Sequence, residues 1–128
     1  MILGDLWADE KFREGLSMAK TSLAGVTIAG VCAFLGLGIV GYILIKILIP
    51  KAQITSWWRN KDLSGTGFDW HMVGLAYDIA PASKENFDAA VKIFPSVIVE
   101  KGNIITSLDK ADHIHVAWIN KKLGVLQG

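Results

Sequence analysis

From Thr21 to Ile45 the chain carries no charged residue, 25 positions in a row, and beyond Lys46 the apolar text continues through Ile47, Leu48 and Ile49 to Pro50. A helix over that run rises ~37 Å at ~1.5 Å per residue, more than the ~30 Å hydrocarbon core of a bilayer. Apolar residues fall on every side of it, which a buried soluble helix rarely needs over such a length. The pattern predicts one single-pass transmembrane helix over residues 21–50. Ahead of it, in residues 1–20, Leu6, Trp7, Phe12, Leu16 and Met18 are set among charges. That segment reads as a short amphipathic helix at the membrane surface, with Trp7 suited to the interface, or as a helical extension of the span.

After Pro50 the pattern becomes that of a folded domain, residues 52–128. Ile54–Trp58 suits a short strand, and Asn60–Gly67, with Asp, Ser and two Gly, a loop. Gly74–Ile79 suits another strand. Pro81-Ala82-Ser83 leads into a helix reaching about Phe94, with Ser83 as its cap and Phe87, Val91 and Phe94 on one side. Residues 96–100 and 104–108, joined through Lys101-Gly102-Asn103, read as a β-hairpin. A turn at Asp109-Lys110 feeds a last strand, His113–Ile119, and residues 120–126 suit a final helical turn or two. The predicted class is α+β, a small domain with an antiparallel sheet behind one N-terminal membrane helix.

Composition narrows this picture in a few places. The 128 residues leave room for one modest domain. The lead carries Asp5, Asp9, Glu10 and Glu14 beside Lys11, Arg13 and Lys20, which is not the short basic start of a cleaved signal peptide. Cys32 is the only cysteine, so no intrachain disulfide forms. The net charge of +1 is uninformative about nucleic acid, but no basic stripe interleaved with aromatics appears, so no nucleic-acid partner is expected. Lys11, Arg13 and Lys20 on one side of the span against Lys46, Lys51, Arg59 and Lys61 on the other lean towards a cytoplasmic C-terminal domain by one charge. Gly25, Ala29 and Ala33 recur every four residues, and Gly41 rejoins their face. Such spacing lets helix backbones approach and suggests a homo-oligomer contact, although membrane helices are rich in small residues in any case.

Candidate chemistry concentrates in DWHMVGLAYDIAP, residues 69–81. On a strand Ala76 and Asp78 share one face while Leu75, Tyr77 and Ile79 turn to the core. Gly74 permits a sharp turn that folds His71 back over the space beside Ala76. An imidazole and a carboxylate then converge, two of the three protein ligands of a catalytic zinc site. The stretch ADHIHVAW, residues 111–118, offers the third, because His113 and His115 both lie on one side of a strand. Asp112, three residues before His115, could accept a proton from water at the metal if a turn or bulge near it brings it round.

Taken together, ITSWWRN at 54–60, HMVGLAYDIAP at 71–81 and DHIHV at 112–116 resemble the zinc peptidases that cut peptidoglycan stem peptides. These are the D-alanyl-D-alanine carboxypeptidases and dipeptidases and the L-alanyl-D-glutamate endopeptidases, phage endolysins among them, with the zinc domain of hedgehog proteins similar in fold. The resemblance covers roughly residues 52–118. It implies Zn as cofactor, His71, Asp78 and His115 as ligands with His113 as the alternative, Asp112 as general base, and Arg59 as a binder of substrate or of the developing oxyanion. The chain departs from the family pattern in having Asp69 where a serine is usual, a short stretch between Asp78 and His115, and two late histidines.

The expected function is a membrane-anchored zinc metallopeptidase cleaving peptidoglycan stem peptides. The expected location is a lipid bilayer, that of a virion or a bacterial inner membrane, in the manner of a phage lytic enzyme. The alternative is a viral membrane or assembly protein with a degenerate, non-catalytic peptidase-like domain. A remoter one is a zinc domain that binds another protein without cutting it.

Overall fold

In a computed structural model of the protein, residues 3–22, 28–58, 71 and 74–119 are described. Three helices come first: α1 (Leu3–Ala8), α2 (Glu10–Ser22) and α3 (Ile28–Leu48). The amphipathic lead is thus two helices, divided at Asp9, whose carboxylate accepts a hydrogen bond from the Lys11 N–H at 3.0 Å and so starts α2. Strands β1 (Gln53–Ser56) and β2 (Ala76–Ala80), helix α4 (Lys84–Val91), strands β3 (Ser96–Lys101) and β4 (Ile104–Ile105), a 3₁₀ turn at Leu108–Lys110 and strand β5 (His113–Ala117) follow. The five strands form one antiparallel sheet in the order β1-β2-β5-β3-β4, so the expected α+β class and antiparallel sheet are present.

Register sorts the residues onto two faces. Tyr77 pairs with Val116 and Ile79 with Ile114, while Val97 and Val99 sit opposite the same two β5 residues, giving a continuous apolar face. The other face carries Asp78 opposite His115 and Glu100 opposite His113. Helix α4 begins at Ser83, whose Oγ accepts from the Asn86 N–H at 3.1 Å, as its cap position predicts. Its inner side is Asn86 and Ala90 with Phe87 packed alongside, whereas Val91, expected inside, is exposed. The hairpin turns at Gly102, in the left-handed region at φ +61°, but β4 stops at Ile105, where the chain leaves for the 3₁₀ turn.

The described part of the apolar run packs on the sheet along one side. α3 spans 21 residues and has Lys46 as its only charge. Its side chains are described without interruption from Ala33 to Leu48, about 24 Å. Among the described residues no helix is long and apolar enough to cross a membrane. The lower half of α3 packs against the sheet. Tyr42, Ile45 and Ile49 are buried in the same core as Trp57, Tyr77, Ile114 and Val116. The Tyr77 hydroxyl donates to the Gly38 carbonyl at 2.5 Å, and Trp118 Nε1 donates to the Leu37 carbonyl at 3.0 Å. At the lower end Asp9 accepts from the Tyr42 hydroxyl at 3.0 Å and pairs with Lys46 at 3.2 Å, which brings the start of α2 beside the end of α3. The lower half of α3 and the sheet therefore share one interior.

The small-residue stripe is divided by the same packing. Gly25 lies outside the described residues, and Ala33 is exposed. A Cβ at Gly41 would overlap the Tyr77 hydroxyl and come within 2.7 Å of Trp118 Nε1, so this end of the stripe serves contacts within the chain.

Candidate metal centre

Three elements bring the candidate ligands together. β2 supplies Asp78 and β5 supplies His115, side by side because the two residues are register partners. His71 arrives from outside the sheet. Gly74 has φ +74°, a conformation that favours glycine, and a Cβ there would also collide with the Trp58 ring. That turn, closed by the Gly74 N–H to the His71 carbonyl at 3.3 Å, returns His71 to the start of β2.

His71 is fully buried, and its Nδ1 lies 2.7 Å from the Trp57 carbonyl oxygen. A carbonyl only accepts, so Nδ1 carries the proton and, in the neutral ring, Nε2 carries the lone pair. That lone pair faces His115 Nδ1 at 3.4 Å and Asp78 Oδ1 at 3.4 Å, and His115 Nδ1 lies 3.1 Å from Asp78 Oδ1. A tetrahedral ion with bonds of ~2.0–2.1 Å separates its ligand atoms by ~3.3–3.4 Å. The three edges of this triangle are close to that spacing, and a backbone carbonyl behind an imidazole is what usually holds a ligating histidine in orientation. His71, Asp78 and His115 could therefore hold a metal ion. Burial acts to raise the Asp78 carboxyl, but His115 and His71 outweigh it and hold the group far below the usual carboxylate range. The anionic form is the one this site favours.

The remaining candidates are placed differently. Asp112 is exposed and, among the described residues, belongs to no group of converging ligand atoms. Its oxygens accept from the Gly102 N–H at 3.1 Å and lie 2.6 Å from His113 Nδ1, so the expected general base faces the hairpin turn and the back of a histidine. The contact with His113 comes first in holding its carboxyl below the usual range. His113, the alternative ligand, directs Nε2 at Glu100 Oε1, 3.3 Å away, with Asp78 Oδ1 at 3.9 Å. Glu100 pushes the His113 ring up to about 9, against burial and with help from Asp112. Arg59 lies outside the described residues, as does Asp69.

Sequence reasoning missed Glu100. It is buried, and its Oε1 lies 4.0 Å from His115 Nδ1, on the Asp78 side of the sheet. A signal was available, because Glu100 is the one inward charge in the strand SVIVEK, and the pairing of Ser96–Glu100 with His113–Ala117 follows once the hairpin folds onto β5. No protein-family model, curated protein or solved structure gives a match to this chain.

Proposed function

We propose that the protein is a membrane-associated metal-dependent hydrolase of the zinc peptidase kind, acting on the stem peptides of peptidoglycan. The observation that carries the reading is the triangle of His71 Nε2, Asp78 Oδ1 and His115 Nδ1, with edges of 3.4, 3.1 and 3.4 Å, backed by the Trp57 carbonyl. A zinc ion held by His71, Asp78 and His115 would supply Lewis acidity, polarising a carbonyl and acidifying water. Glu100, whose Oε1 lies 4.0 Å from His115 Nδ1, would take a proton from the attacking water and return it to the leaving amine, in the role the sequence suggested for Asp112. His113, held between Asp112 and Glu100, presents an N–H towards the same space, suited to charge that develops on an attacked carbonyl oxygen. The stem-peptide substrate rests on the resemblance of the three sequence motifs.

Membrane association is supported by the uncharged run from Thr21 to Ile45 and by the outer side of α3. There Leu37, Val40, Ile47 and Leu48 remain 40–52 % exposed after the sheet has covered the inner side. Contiguous apolar surface of that kind marks a contact with lipid or protein.

The test is zinc content and hydrolysis of synthetic stem peptides by the full chain, purified in detergent, beside His71→Ala and His115→Ala. One zinc per chain, lost in both variants together with cleavage, is the expected result. A folded protein that takes up no metal and leaves every stem peptide whole would overturn the reading in favour of a structural protein with a degenerate site.

A further inference from the structure

Directly beside the first triangle is a second group of converging ligand atoms, from Asp78, Glu100 and His113, all within 4.8 Å of one another. Asp78 belongs to both. His113 is presented as His71 is, with one ring nitrogen tied from behind and the other turned to carboxylate oxygens. Its Nδ1 is 2.6 Å from Asp112 Oδ1, and its Nε2 is 3.3 Å from Glu100 Oε1 and 3.9 Å from Asp78 Oδ1. A carboxylate behind an imidazole is the usual outer partner of a metal-ligating histidine, and it gives exposed Asp112 a reason to be where it is. Register fixes the arrangement: Glu100 is opposite His113 and Asp78 is opposite His115, so the two groups are neighbours on one face of β5.

The geometry points to a second divalent-cation site, formed by Asp78, Glu100 and His113 and able to take Zn²⁺ or Mn²⁺, that fills after the first and shuts the hydrolytic centre down. Two nitrogen or oxygen types, one imidazole and two carboxylates, suit either ion. The order of filling follows from geometry and charge. The first triangle already has tetrahedral spacing, whereas the second is wider, with a 3.9 Å edge from His113 to Asp78, and must share the Asp78 carboxylate with an ion already present. Inhibition follows because a Glu100 oxygen that coordinates a cation no longer accepts a proton from water. The site stands on its own residues; its inhibitory effect rests on the hydrolase reading proposed above. A proton on His113 is the competing occupant, and it would leave Glu100 hydrogen-bonded to an imidazolium with no place for a second ion.

The experiment is equilibrium dialysis of the full chain in detergent against rising Zn²⁺, with bound metal counted and stem-peptide hydrolysis measured on the same samples. Wild type should bind two equivalents in separate steps. Activity should rise through the first and fall through the second to about a hundredth or less, the worth of a general base being ~10²–10⁴-fold. Glu100→Gln and His113→Asn should each bind one equivalent, with circular dichroism confirming the fold, while His71→Ala should lose the tighter one. One equivalent in wild type at saturating Zn²⁺, or a second retained by both variants, would overturn the second site and leave the hydrolase reading intact. No bound metal at all would overturn both.

Discussion

The Trp57 carbonyl oxygen lies 2.7 Å from His71 Nδ1, and the indole of the same Trp57 donates back to the Gly74 carbonyl at 2.9 Å. Two bonds of opposite sense thus clamp the turn that carries the first ligand to the end of β1. The ring itself is packed between Phe12, Tyr42 and Tyr77, with centroids 5.6, 4.8 and 6.0 Å away. Trp57→Phe keeps much of the packing but leaves the Gly74 carbonyl without its donor, at a cost of about 1–3 kcal/mol. Metal affinity should fall ~10–100-fold, as for other outer-shell changes. Thermal unfolding and a zinc titration of the same preparation measure both.

Glu100 and Asp112 are separable by substitution. Glu100→Gln should lower kcat/KM on a stem peptide by ~10²–10⁴-fold, the worth of a proton-transfer group. Asp112→Asn, acting only through the orientation of His113, should stay within ~10–100-fold. A larger loss from Asp112→Asn than from Glu100→Gln would make Asp112 the base.

Two glycines of α3 distinguish a domain helix from a stalk. At Gly36 a Cβ would meet nothing within 4 Å, so Gly36→Ala should be neutral or stabilise by up to ~1 kcal/mol through helix propensity alone. At Gly41 it would press on the Tyr77 hydroxyl and the Trp118 indole, both hydrogen-bonded to α3 carbonyls. Gly41→Ala should cost about 1–3 kcal/mol by overpacking. Equal melting temperatures for the two variants would mean that the sheet does not rest on α3.

Asp9 supplies a pH dependence remote from the metal centre. Burial acts to raise its carboxyl, but Lys46, Tyr42 and the Lys11 N–H outweigh it and lower the group from its ordinary 3.8. The folded chain therefore holds this proton less tightly than the unfolded one. The stabilisation is fully present above pH 3.8 and is lost as pH falls through the lower folded value. Asp9→Asn should flatten that part of the acid-unfolding curve and cost about 1 kcal/mol at neutral pH, the usual worth of such a hydrogen bond.

Local chemistry was legible in the sequence wherever one residue decided it. Ser83 announced its cap, Gly74 its turn, and the alternation in AYDIA the face on which Asp78 stands. What depended on distant pairing was not. The 25-residue uncharged run has one hydropathy whether lipid or a sheet covers it, and only the packing of Tyr77 and Trp118 against Gly38 and Leu37 separates the two for its lower half. Glu100 was hidden for the same reason. Its role comes from lying across from His113, and that register is set by a hairpin whose second strand is only two residues long.

The union of α3 with the sheet also bears on how the chain is made. Translation runs from the N-terminus, so α3 leaves the ribosome before every strand that will cover it. The roughly 70 residues from Ile49 to Ile119 take ~4–14 s to follow at 5–20 residues per second. During that interval the most apolar segment of the protein has only the N-terminal helices beside it, and a bilayer or a chaperone has first claim on the side the sheet will cover. The sheet must then win back one side of a helix that something else already holds. The order of emergence, as much as the final energy of either arrangement, decides how much of α3 ends against protein and how much against lipid.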